Sequence, residues 1–288
     1  MYRRLERPFT FAMLILTVFT VTVFYGMKSL HSMSVAWNET GSFTVAEKES
    51  MLDMMQGEGL EDNTIEGLVG QIRLEMPEGI TRDNVKVMNN YIDRTITINI
   101  EGVTNTYFYD YPLSGSSDHV ENMYFENEGG VGVIDIIMDS VYEPRQVFEG
   151  NYMYLNLIDP RAIYDYIVVV DAGHGGSDGG AEVKGVAEKD LDLKIVEKLG
   201  DDLEECDKYN IGVYYTRTED RFVSLDSRVN LANTLGCDLF ISIHNNTSAN
   251  GRMSYINGTS VLYKMSDETG RSQAFAQCCL NHMLDSLG

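Results

Sequence analysis

The sequence predicts two folded parts behind an N-terminal transmembrane helix: a small all-β, sandwich-like domain, then an α/β domain built on a mostly parallel open sheet. Three observations predict it. Apolar and polar residues alternate with period two between residues 67 and 162, continuous apolar strands alternate with helical stripes from 163 to 288, and an uncharged run follows three arginines near the N-terminus. At 288 residues the chain has room for about two domains of roughly 150 residues each. With 43% hydrophobic and 23% charged residues it is globular rather than disordered or fibrous. Its 44 acidic against 22 basic side chains leave a net charge of −22, a field that repels polyphosphates and excludes a general nucleic-acid binder.

Residues 1–37 are read as a cytoplasmic tip and membrane anchor. Arg3, Arg4 and Arg7 precede an uncharged run from Pro8 to Met27, which approaches the roughly 20 residues needed to cross a bilayer, and the arginines favour a cytoplasmic N-terminus. A small-x-small cleavage site is found only at Ser34-Val35-Ala36, well past the run, so an uncleaved anchor is favoured over a signal peptide. Either reading exports the chain from about residue 38, which places it at the cell membrane, single-pass, with its folded parts outside. Residues 38–66 carry acidic side chains from Glu39 to Glu66 against Lys48 alone and read as a solvated linker, with a short helix near Met51–Met55.

Over residues 67–162, Ile72, Leu74 and Met76 alternate with polar residues, as do Ile96, Ile98 and Ile100. Further strands are expected at Val103–Tyr109, His119–Phe125, Val131–Met138 and Tyr152–Ile158, separated by the turn-like SGSSD and NEGG, and together they predict a sandwich. No His, Cys or carboxylate cluster appears there, so binding or spacing is expected of it rather than catalysis.

The pattern changes at residue 163. Ile167–Asp171 is a continuous apolar run, as in a strand buried on both faces of a parallel sheet. Leu191, Ile195, Val196, Leu199 and Leu203 then form one helical stripe. A strand at Ile211–Thr216, a helix Ser224–Leu235 capped by Ser224, strands Asp238–His244 and Ser260–Lys264, and a helix from about Asp267 complete the domain. Cys206, Cys237, Cys278 and Cys279 show neither a C-x-x-C pair nor a histidine at finger spacing, and are read as thiols rather than a zinc cluster.

Ligands of open α/β sheets sit beyond the carboxyl ends of the strands. The first strand runs into Asp171-Ala172-Gly173-His174 and a glycine-rich loop, Glu188 opens the next helix, and a later strand ends at His244-Asn245-Asn246. Taken singly, each is an ordinary loop or helix-end residue. Together, two histidines and a carboxylate at one edge match the His₂Glu ligand set of a catalytic zinc site. A phosphate-cradling loop fits poorly, since the glycines lack G-x-G-x-x-G spacing and Gly185 is followed by Val186 rather than Lys.

The blocks VVVDAGHGGSDGGA, GVAEKDLDL, TRTEDRFVSLDSRVNLAN and DLFISIHNN, within residues 167 to about 263, resemble in order and spacing the zinc-dependent N-acetylmuramoyl-L-alanine amidases of the type-3 family, which are peptidoglycan hydrolases. The resemblance implies Zn²⁺ held by His174, Glu188 and His244, and hydrolysis of the amide joining N-acetylmuramic acid to L-alanine in peptidoglycan. Zinc would polarise that carbonyl and lower the pKa of its bound water to about 7. More loosely, the β module resembles the AMIN-type domains that localise such enzymes on the wall.

Arg217, Arg221 and Arg228 fall in the third block. Arg228 and Asn246 are candidate substrate-binding residues; Arg228 orients a carboxylate or substrate, or, like Arg217 and Arg221, alternatively forms a surface or helix-face salt bridge. Family members carry their general-base glutamate in a strand beyond the last helix seen here. The base is therefore expected beyond Gly288, none is assigned in this chain, and the domain reads as incomplete at its C-terminus, with an unpaired sheet edge. Two rival readings stay open: a catalytically silent wall-binding protein with the same fold, and a zinc peptidase cutting within stem peptides.

Overall fold

The computed structural model describes residues 20–24, 65–111, 113–115, 118–246 and 258–287. The predicted tip, nearly all of the acidic linker and the Met51–Met55 helix lie outside them. The chain divides into a β unit, Ser29–Ile163, and an α/β unit of Met1–Lys28 with Tyr164–Gly288. Strand β1 (Thr20–Phe24) is the N-terminal contribution to the α/β unit.

In the β unit, strands β2 (Leu68–Glu75), β3 (Val85–Asn90), β4 (Thr95–Glu101), β5 (Ser114–Gly115), β6 (Val120–Glu128), β7 (Val131–Met138), β8 (Glu143–Glu149) and β9 (Tyr152–Ile158) form two four-stranded sheets. Their orders are β5-β2-β9-β8 and β3-β4-β7-β6, with every neighbouring pair antiparallel. The period-two pattern explains the packing. Ile96, Ile98 and Ile100 of one sheet and Ile72, Leu74, Leu155 and Leu157 of the other are buried in one core, which is the predicted sandwich. Each such side chain contributes about 1.5–3 kcal/mol by leaving water.

One local expectation is corrected, and strands β3 and β8 were not expected. Val103–Tyr109 is not a strand: Thr104-Asn105-Thr106 turns the chain into one helical turn, α1 (Tyr107–Asp110), and the buried Tyr107 donates its hydroxyl to the Glu75 carbonyl at 2.7 Å. β8, which was not among the expected strands, contains Pro144 and lacks an alternating pattern; it sits at a sheet edge, where proline is tolerated.

The α/β unit continues with β10 (Tyr166–Ala172), the hairpin β11 (Glu182–Val183) and β12 (Val186–Ala187), helix α2 (Glu188–Glu204), β13 (Ile211–Tyr215), helix α3 (Leu225–Thr234), β14 (Leu239–His244), β15 (Ser260–Tyr263) and helix α4 (Arg271–Leu287). β10 is central, parallel to both β13 and β14, in the order β13-β10-β14-β1-β15. The expected stripe of α2 buries Val196, Leu199 and Leu203 against Val168 and Val170, whereas Leu191 stays exposed. Ser224 caps α3 as predicted, accepting from the Ser227 amide at 3.1 Å. The four cysteines are free thiols, and burial pushes the Cys279 thiol up to about 12.

β1 makes the sheet mixed, running antiparallel to β14 and parallel to β15. These five residues lie inside the run expected to be a transmembrane helix, and here they are a strand. Alternating threonine and valine suit a strand, and β14 offers them an unpaired ladder. No helix among the described residues is long and apolar enough to cross a membrane.

Candidate metal centre

Three elements converge at the carboxyl edge of the sheet. β10 delivers His174, the start of α2 delivers Glu188, and the last residue of β14 is His244. His174 Nε2 lies 3.2 Å from His244 Nδ1 and 3.4 Å from Glu188 Oε1, and His244 Nδ1 lies 3.3 Å from that same oxygen. The residues expected to be ligands therefore present three donor atoms at nearly equal separations. With Asp192 they form a group that could hold a metal ion, all four donor atoms lying within 4.8 Å of one another.

The backbone is shaped to allow this approach. A Cβ at Gly173 would lie within 2.6 Å of His244 Nδ1, so only glycine lets β10 pass this close to the ring. His174 itself adopts φ +59°, a left-handed conformation uncommon outside glycine.

Hydrogen bonds hold each donor in place. His174 Nδ1 is 2.9 Å from Asp178 Oδ2, which leaves Nε2 facing the other donors. This bond, with the Gly180 amide, holds the Asp178 carboxyl below its ordinary value. Glu188 Oε1 accepts from the Asn245 amide at 2.9 Å, and Oε2 accepts from the Ala181 amide at 2.8 Å. Burial pushes Glu188 upward, but the His244 bond, the Ala181 amide and the two imidazoles outweigh it and leave its pKa below the usual range. The Glu188 bond in turn raises His244 against the opposing effect of burial.

Arg228 is buried, and the carboxylate it orients is Asp171: Nη1 donates to Asp171 Oδ1 and to the Ala172 carbonyl, while Nη2 reaches the His174 carbonyl at 2.6 Å. With 5% of its surface exposed it is buried, and its charge pairs with Asp171. Arg217, also buried, donates to the carbonyls of Ala172 at 3.0 Å, Gly173 at 2.7 Å and Lys189 at 2.9 Å. Asn246 is exposed, two residues beyond His244. Sequence reasoning missed Asp178 and Asp192. The only signal for Asp192 was its spacing of one helical turn from Glu188.

The N-acetylmuramoyl-L-alanine amidase family model matches residues 168–288. Residues 168–288 are similar to that family. Among curated relatives of the chain, an endolysin of Bacillus phage SPP1 is 43% identical over 86 residues, covering 30% of this chain and 31% of that protein. The N-acetylmuramoyl-L-alanine amidase CwlM of Bacillus licheniformis is 45% identical over 80 residues, covering 27% of this chain and 31% of that protein. The chain thus spans about a third of the length of these two relatives. The crystal structure of an N-acetylmuramoyl-L-alanine amidase from Clostridium difficile 630 is similar over 31% of this chain and 48% of that one, at 42% identity and a TM-score of 0.29. The donors His174, Glu188 and His244 all lie within the segment that the family model matches.

Proposed function

We propose that the chain is a zinc-dependent amidase that cleaves the bond between N-acetylmuramic acid and L-alanine in peptidoglycan, with His174, Glu188 and His244 as the zinc ligands. The observation that carries this reading is the triangle of donors. Three ligands of a tetrahedral zinc at 2.0–2.1 Å stand about 3.3 Å apart, and the separations here are 3.2, 3.3 and 3.4 Å. Two imidazoles and one carboxylate are also the donor chemistry of catalytic zinc, with the fourth position left open.

When bound, zinc supplies a Lewis acid for the amide carbonyl and lowers the pKa of the attacking water to about 7. The chain's residues supply the geometry. Asp178 fixes which nitrogen His174 presents, and the Asn245 and Ala181 amides hold both oxygens of Glu188. Arg217 and Arg228 clamp the carbonyls of residues 172–174, so the ligand loop is rigid before substrate arrives.

For the β unit we propose a wall-localising role in the manner of AMIN-type domains, which its sandwich architecture suits. The basic N-terminal end and the uncharged run behind it support a place at the cell membrane with the chain from about residue 38 onward outside. For that run to span a bilayer, Thr20–Phe24 must leave the sheet.

The test is mass spectrometry of peptidoglycan digested by the zinc-loaded chain. New L-alanine amino termini are expected. Termini arising within the stem peptide would make the chain a peptidase.

A further inference from the structure

One buried carboxylate beside the donor triangle is only half satisfied. Asp192 stands one helical turn after Glu188 on α2, on the same face, and is fully buried. Its Oδ1 accepts from the Asn245 side-chain amide at 2.8 Å. Its Oδ2, equally buried, meets no hydrogen-bond donor among the described residues. A carboxylate oxygen of Asp192 lies within 4.8 Å of the donor atoms of His174, Glu188 and His244.

No basic side chain hydrogen-bonds this carboxylate among the described contacts. Arg217, whose charge reaches it, directs Nε, Nη1 and Nη2 at the carbonyls of Ala172, Glu219, Gly173 and Lys189. A buried carboxylate with an unpaired oxygen, next to a second carboxylate, is unfavourable as a charged group unless it takes up a proton or a cation stands nearby to compensate it. The place left for that cation is the donor triangle.

We propose that Asp192 is a positioning residue for the metal. Through Asn245 it pins the end of β14 against α2, which fixes His244 relative to Glu188. Through its second negative charge it strengthens the hold of the site on a divalent cation. The inference rests on the zinc reading above and adds a residue to it.

The consequence is a pair of opposite effects. Asp192→Asn keeps an oxygen to accept from Asn245 but removes the charge, so zinc binding weakens while the metal-free fold is no less stable. A purely structural residue would lose both together.

The experiment is competition for zinc between the full chain and a chromophoric chelator, run beside thermal melting of the metal-free chain. Zinc affinity is expected to fall about 10-fold in Asp192→Asn and about 10–100-fold in Asp192→Ala, with metal-free Asp192→Asn melting no lower than the unaltered chain. Unchanged affinity in both variants overturns the proposal, as does an affinity loss in Asp192→Asn matched by a lower melting temperature. If the unaltered chain takes up no zinc, it is the zinc reading itself that fails, and the role of Asp192 falls with it.

Discussion

Arg228 donates to the main-chain carbonyl of His174 at 2.6 Å, so a buried guanidinium fixes the backbone of a residue held at φ +59°. A non-glycine residue in that region costs on the order of 1–3 kcal/mol and persists only when its surroundings over-determine it. Here they do: the carbonyls of residues 172, 173 and 174 each accept from Arg217, from Arg228 or from both. The loop is arranged to aim one imidazole.

Removing the guanidinium should therefore destabilise the fold. Arg228→Met leaves the buried Asp171 without its cation, and breaking such a pair costs about 3–5 kcal/mol. Arg228→Lys should recover little of this, since one ammonium cannot reach Asp171 and the carbonyls of Ala172, His174 and Val223 together. Denaturant unfolding measures both, and Arg228→Met at the stability of the unaltered chain would contradict the assignment.

Gly173→Ala tests the close approach of β10 to His244. The added methyl would lie within 2.6 Å of Nδ1, the nitrogen that faces Glu188, so the ring must move. Overpacking of this kind costs about 1–3 kcal/mol. The variant is expected to stay folded by circular dichroism yet lose most of its zinc; full retention of zinc would show that the contact does not constrain the ring.

Asp178 touches the donor triangle through His174. Its side chain is half exposed, so Asp178→Ala should change stability little. Zinc affinity should fall about 10–100-fold, the usual cost of losing the outer partner of a ligating histidine. Titration against a chelator reads this out, and an affinity equal to that of the unaltered chain would mean that His174 is oriented by other contacts.

The metal-free chain should also carry a pH signature. Burial, with the Glu188 charge adding to it and the Asn245 bond opposing, pushes the Asp192 carboxyl from 3.8 up to about 7. The folded state then holds a proton that the unfolded chain releases. The resulting stability is fully present below about pH 4 and is lost as pH rises through about 7. Melting temperature without metal should decline across that window, and Asp192→Asn should flatten the decline. Parallel curves for the two proteins would argue against a raised Asp192.

The sequence revealed more of the donor triangle than of its support. His174, Glu188 and His244 were legible because each stands at the end of a strand or the start of a helix, where the topology of an α/β sheet gathers side chains at one edge. Asp178 and Asp192 were not, because a carboxylate in a polar loop or on a helix face has no periodicity that separates a buried supporter from a solvated charge. The role of Arg228 depended on burial, which its place in a helix does not reveal. In the β unit the inward isoleucines of β4 and β7 spelled their strands, whereas the edge strand β8 lacks an alternating pattern and contains Pro144. Thr20–Phe24 shows the converse, for an apolar β-branched run suits a membrane helix and a sheet strand alike.

The proposed function requires that His174, Glu188 and His244 together hold zinc. Elemental analysis of the purified chain, alone and as His244→Ala, tests it most directly. About one zinc per chain is expected, as for a mononuclear three-ligand site, and it should be lost in the variant while the fold is kept. A folded, unaltered chain that carries no zinc after exposure to it would contradict the claim.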